Sequence, residues 1–298
     1  MSSDDQEQKT ASISFFQRNP ISCPICDAAI YREELLTGRG RLIAGNLTPE
    51  LRRLYEESKK FGEVSPLVYP VTVCPDCYYA TWKEDFLKVP EQAIARIDED
   101  RDHRIDSLAN LLGHTNFTQP RTLKEGLASY YLAVSCYDHF TKEVSPVIRQ
   151  AISCLRAAWL CNDLERTHPG ENYGYLGRMF YRKSRFFYVM ALEYEQNGSQ
   201  TVSGCPNLGP DIDKNYGYDG MIYLTGYLEY HFGPRKNPEK RQEALLRAKR
   251  SVARIFGMGK ASRNKPLPLL ENAKSLYGEI NQLLGAKTSP EEDAQAAD

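Results

Sequence analysis

The sequence predicts an α+β protein that is mainly α, with a small zinc-ribbon-like N-terminal module followed by an all-α helical-repeat (tetratricopeptide-like) domain. Three observations predict it. Two C-x2-C pairs, Cys23/Cys26 and Cys74/Cys77, frame a region of strand-like patterning. After Pro90 the apolar spacing switches to a period near 3.6 and stays there. Two helix pairs then repeat one spacing of small residues. The expected organisation is a disordered leader at 1–12, the zinc-ribbon-like module at 13–88 with an inserted helix at 48–61, the repeat domain at 90–285 and a disordered acidic tail at 286–298.

The cysteines set the frame of the N-terminal region. Two cysteines at this spacing turn both sulfurs toward one point, so each pair is half of a tetrathiolate site. No histidine precedes His103, so Cys23, Cys26, Cys74 and Cys77 are the available ligands here. Four thiolates suit zinc, with rubredoxin-type iron the alternative. Such a site leaves no position for water and is therefore structural. A thioredoxin-like redox pair is the other reading of C-P-x-C, and thiol-redox activity stays open beside the non-enzymatic one. Asp27 and Tyr78 follow the second cysteines, where a knuckle favours glycine. Asp tolerates a positive φ there; Tyr fits it poorly.

Along the module, Ile13 to Phe16 can begin a strand, and Ala29 to Leu36 reads as strand or loop. The inserted helix rests on Thr48 as N-cap, Pro49 at N1, and Leu51, Leu54, Tyr55 and Ser58 on one face, with Gly62 as the stop. Leu67 to Val73 is β-branched and runs straight into the second cysteine pair. Seven helices follow, marked by Ile94 to Leu112, Leu123 to Tyr137, Ile148 to Trp159, Leu176 to Tyr194, Met221 to Phe232, Pro238 to Phe256 and Leu270 to Leu284. Gly226 and Gly233 stand seven apart, and Ala244, Ala248 and Ser251 follow at i, i+4 and i+7. Ala133 with Ala151, Leu155 and Ala158 echoes that arrangement, as stacked helical hairpins would. A plain helical bundle accounts for the same alanines.

With these residues in view, the chain resembles the bacterial family known as domain of unknown function 2225. The carrying stretches are Cys23-Pro24-Ile25-Cys26, Tyr69 to Ala80 with Asp85-Phe86, Leu155 to Leu160, and Tyr223-Leu224-Thr225-Gly226. The resemblance covers most of residues 13 to 285. It implies a zinc-ribbon-type module joined to tetratricopeptide-like helices, and it implies no activity. The glycine often found after each family C-P-x-C is absent here.

Elsewhere the chain carries weaker chemical signals. Gly38-Arg39-Gly40-Arg41 lacks the third glycine of a dinucleotide loop and reads as a turn. Its Arg39 and Arg41 are candidates for an anionic partner, with solvated loop arginines the plainer reading. Cys136 and His139 share a helix face, but a packed thiol beside a partly exposed histidine explains them. Cys154 and Cys161 read as core thiols, and Cys205, in a long loop, is expected to be the most exposed. Residues 235–265 hold eleven Lys/Arg against two Glu. Arg247, Arg250 and Arg254, with Lys240 near their line, form a stripe able to grip phosphates or an acidic partner. A solvated outer face accounts for them equally.

A net charge of −1 gives no global attraction to nucleic acid or membrane. No apolar run is long enough to span a bilayer, and the polar N-terminus has no secretory h-region. The expected setting is the cytoplasm, where paired thiols mean metal rather than disulfide. A non-enzymatic scaffold is expected, with a protein or peptide on its helices. Nucleic acid on the ribbon and basic stripe is the alternative partner, and no small-molecule substrate or membrane partner is evident.

Overall fold

The computed structural model describes residues 12–257 and 264–285. Its N-terminal part is built from four two-stranded antiparallel pairs, and the rest is mainly helical. Strand β1 (Ser14–Phe16) pairs with β4 (Glu33–Leu35), enclosing β2 (Ile21–Ser22) and β3 (Ala29–Ile30). A second arm, β5 (Ile43–Leu47) with β6 (Arg53–Glu56), stands apart from these. Strands β7 (Val71–Val73) and β8 (Ala80–Trp82) flank the second cysteine pair and are buried along their length.

The β5–β6 arm corrects the helix expected at 48–61. Pro49 and the Leu51/Leu54/Tyr55/Ser58 spacing satisfy a helical pattern locally, but distant groups decide the backbone. Asp211 accepts the Arg53 N–H at 2.7 Å, and Leu51, at φ 59°, is fully buried. A left-handed leucine cannot sit inside a helix. Tertiary contact overrides the local signal.

Eight helices follow among the described residues. The stretch expected as one helix from Ile94 to Leu112 is two, α1 (Glu91–Glu99) and α2 (Arg101–Leu112), because Asp100 at ψ 5° breaks the run. Helix α3 (Leu123–Cys136) starts in a capping box: Thr122 accepts from the first turn, and Glu125 accepts from the Thr122 N–H. Prolines stand in the first turns of α4 (Pro146–Thr167), α7 (Pro238–Phe256) and α8 (Leu267–Leu284), where a missing N–H costs nothing. Helices α5 (Tyr173–Asn197) and α6 (Gly217–Phe232) complete the array.

From α3 to α8 each helix packs on the next, and α6 also meets α8. Gly226 makes one such approach possible, since a Cβ there would stand 2.6 Å from Val252 Cγ2. Gly126 does the same where α3 meets the turn at Pro66–Val68: a Cβ would lie 2.7 Å from Val68 Cγ1. The core is continuous from the second cysteine pair into α3 and α4, with Tyr79, Phe86, Tyr130, Tyr137 and Trp159 all buried. No helix among the described residues is long and apolar enough to cross a membrane.

Candidate metal centre

Each cysteine pair sits on a tight loop of one design. In the first, the Cys23 N–H donates to Ala28 O at 2.9 Å and the Asp27 N–H to Cys23 O at 3.0 Å. In the second, the Cys74 N–H donates to Tyr79 O at 2.9 Å and the Tyr78 N–H to Cys74 O at 3.0 Å. The residue after each second cysteine turns left-handed, Asp27 at φ 59° and Tyr78 at φ 56°. Tyr78, the poor fit on sequence grounds, adopts the position anyway. Its ring meets Phe117 edge-on at 5.5 Å and its hydroxyl donates to Thr115 O at 3.4 Å.

These loops bring Cys23, Cys26, Cys74 and Cys77 together, every sulfur within 4.8 Å of the others. Cys23 and Cys77 are 3.7 Å apart and Cys26 and Cys74 are 3.6 Å apart. Four thiolates about 2.3 Å from one tetrahedral ion are spaced about 3.8 Å apart. The donor set and its edges therefore fit a four-coordinate metal. Without an ion the sulfurs share protons unequally. Hydrogen bonds from Cys23 and Cys77 hold the Cys74 thiol well below the ordinary thiol range, while the bond to Cys74 pushes Cys23 above it. Cys77, bonded to both, is driven well above the ordinary thiol range. A bound ion would be held by these four sulfurs as thiolates, with their protons released.

The second loop is tied to the helices. Arg104, buried on α2, donates to Cys77 O at 3.0 Å and to Ile97 O, and Asp100 lies 3.5 Å away. Arg101 donates to Asp76 O at 2.9 Å. Just beyond β8, Asp85 meets Arg149 of α4 at 2.9 Å and accepts from Tyr137 Oη at 2.7 Å. Trp82 Nε1 donates to Ser153 at 2.9 Å.

The other cysteines are packed thiols. Cys136 accepts the Ala80 N–H at 3.4 Å, and burial pushes it up to about 11, far from a nucleophile at neutral pH. Burial likewise raises Cys154 and Cys161 to about 12. Cys205, expected to be the most exposed, is 3% exposed: the loop that carries it folds back onto α4, where Arg149 donates to Gly204 O.

The basic residues take several environments. Lys240, Arg247 and Arg250 are exposed on α7, Arg247 paired with Glu243 at 2.6 Å, while Arg254 is half-buried. Lys249, on the same helix, is buried over the Tyr277 ring. Arg39 lies in the turn at φ 52°, and Arg41 stacks 4.5 Å from the Phe61 ring centroid.

Sequence reasoning missed one polar cluster. The tip of the β5–β6 arm places Glu50 among α4, α5 and α6. Trp159 Nε1 donates to its Oε2, and Tyr181 Oη lies 3.0 and 2.9 Å from its two oxygens. Tyr227 Oη stands 3.5 Å from Oε1. Burial pushes the Glu50 carboxyl above its ordinary range, against the pull of these donors. The one available sign in the sequence is a tyrosine-rich α6, which packing alone would explain.

Fold and site together define a mainly helical protein whose N-terminal strand pairs carry a four-cysteine centre able to hold a metal. The chain belongs to the family described as an uncharacterized protein conserved in bacteria, domain of unknown function 2225, whose model matches residues 16–280. It is 41% identical over 270 residues to an uncharacterized protein of Borreliella burgdorferi, covering 91% of this chain and 97% of that one. No solved structure matches.

Proposed function

We propose that the protein is a non-enzymatic, cytoplasmic scaffold. A structural zinc ion fixes its ribbon-like front, and its tetratricopeptide-like helices bind a protein or peptide partner. The supporting observation is the convergence of four thiols from segments 47 residues apart, with no fifth ligand group in the cluster among the described residues. Zinc suits this set because it tolerates four thiolates without redox change. Its role is to give the β-rich front a fixed shape, adding to the ties that Arg121 to Glu33 and Lys83 to Glu34 make between β4 and the rest. Metal binding of order 10 to 16 kcal/mol in small zinc domains exceeds the net stability of most domains.

Two measurements test this reading. Elemental analysis of the purified chain is expected to give one zinc per molecule, lost in Cys74→Ser together with a lower melting temperature. Unchanged metal content and melting in that variant would discard the structural ion. Affinity capture is expected to return one stoichiometric protein partner. Turnover of a substrate by the metal-loaded chain, with no partner recovered, would discard the scaffold.

A further inference from the structure

The arm between the two cysteine loops is held in an unusual way. Its strands are largely exposed, with Ile43 at 39% and Leu54 at 41%, although both side chains are apolar. Its tip, residues 48–52, docks instead on the helices, with Leu51 buried, Glu50 and Arg52 half-buried and Pro49 still exposed. Pro49 O accepts from Tyr223 Oη at 2.7 Å, Glu50 fills the Trp159/Tyr181/Tyr227 seat, and Leu51 is fully covered. Arg52 forks onto Asp163 of α4 at 3.1 and 2.5 Å. Three successive helices thus read a carboxylate, an aliphatic side chain and a guanidinium in order, as a helical array reads a bound peptide.

Neutral donors meet the carboxylate, because the nearest cation, Arg52, is turned to Asp163. Such a seat selects shape and hydrogen bonding as well as charge. The tip also fits imperfectly. Leu51 is left-handed, and Arg52 Nε is buried without a hydrogen-bond partner. A covalent tether holds this segment in the seat, and a free segment of the same chemistry need not carry either defect.

We propose that the Trp159/Tyr181/Tyr227 seat, with Asp163 beside it, is the recognition site of the scaffold. Its ligand is a loop of a partner protein that presents Glu, an aliphatic residue and Arg in series. The β5–β6 tip is a ligand in cis that the partner displaces. This rests on the scaffold reading above and names its site and ligand chemistry.

The test uses the full metal-loaded chain and a labelled, cyclised peptide with the sequence of residues 46–54. A second chain has residues 48–52 replaced by glycine and serine, which empties the seat. Native metal content and helical circular dichroism certify its fold. The emptied chain is expected to bind the peptide at least tenfold more tightly than the intact one, because the intact chain must first release its own tip. Changing the peptide's glutamate to glutamine, or Tyr181→Phe with Tyr227→Phe in the emptied chain, is expected to weaken binding at least tenfold.

A correctly folded emptied chain that ignores the peptide overturns the proposal, and so does binding indifferent to both changes. Intact chain that dimerises by exchanging its arm, with the dimer lost on emptying the tip, overturns it too, because the occupant is then a second copy. A captured partner that the peptide fails to displace overturns this site while leaving the scaffold reading intact.

Discussion

The two cysteine loops share a spacing, a hydrogen-bond pattern and a left-handed residue, yet they meet different surroundings. The first is less enclosed: Cys23 is buried, but Cys26 is half-buried, Asp27 is exposed, and its flanking strands are two residues long. The second is wedged against α2 and α3, with Arg104 on the Cys77 carbonyl, Cys136 on the Ala80 N–H and Phe117 on the Tyr78 ring. Ligand geometry is therefore a local property, repeated wherever C-P-x-C recurs. What depends on a loop is set by what packs against it.

Loss of metal is the largest effect, and it separates the loops. Both Cys26→Ser and Cys74→Ser are expected to lose the ion, since three thiolates and a hydroxyl bind far more weakly than four thiolates. Amide hydrogen exchange is then expected to diverge. Loss of protection in Cys26→Ser should stay within residues 14–35, while in Cys74→Ser it should spread through 71–112. Equal spread in both variants would break the comparison. Next in size is Arg104→Met. It strands the Cys77 and Ile97 carbonyls in a buried site, for an expected loss of about 2–4 kcal/mol by denaturant unfolding. The first loop has no counterpart to this residue.

The hairpin tip supplies a control outside both loops. Glu50 has a raised folded pKa, so the folded chain holds that proton more readily than the unfolded one. Its contribution is fully present below the ordinary carboxylate pKa and is lost as pH rises through the folded value. The wild-type chain should therefore gain stability relative to Glu50→Gln as pH is lowered from 7 toward 5, with metal content unchanged. A stability gap that stays flat over that interval would show that the carboxyl is not desolvated.

Legibility in the sequence follows the same division between local and distant causes. The four thiols were readable because C-x2-C encodes its own geometry, and the helices from α3 onward because an apolar face of period 3.6 has one common use. The break at Asp100 was not, since α1 and α2 continue a single pattern and Arg104 uses the break to reach Cys77 O. The helix expected at 48–61 gives way to the β5–β6 arm for a related reason. Thr48, Pro49 and the leucine spacing imitate a helix start, whereas the groups that hold the tip lie more than 100 residues away. Cys205 looked exposed because its loop is rich in glycine and proline, and no local signal shows a loop folding back.

The smallest effect tests the loops at their matched left-handed residues. For an L-residue that conformation costs about 1–2 kcal/mol, and glycine removes the cost while giving back about 0.5–1 kcal/mol of chain entropy. Asp27 is exposed, so Asp27→Gly is expected to be neutral or to stabilise by up to about 1 kcal/mol. Tyr78→Gly gains the same backbone relief but loses a half-buried ring on Phe117 and the bond to Thr115 O, a loss of about 1.5–3 kcal/mol. The two substitutions should therefore move the unfolding midpoint in opposite directions, or move it only in the Tyr78 variant. If Tyr78→Gly stabilises as much as Asp27→Gly, the ring does not offset its own backbone strain. The second loop would then be anchored by Arg104, Arg101 and Cys136 without help from the Phe117 contact.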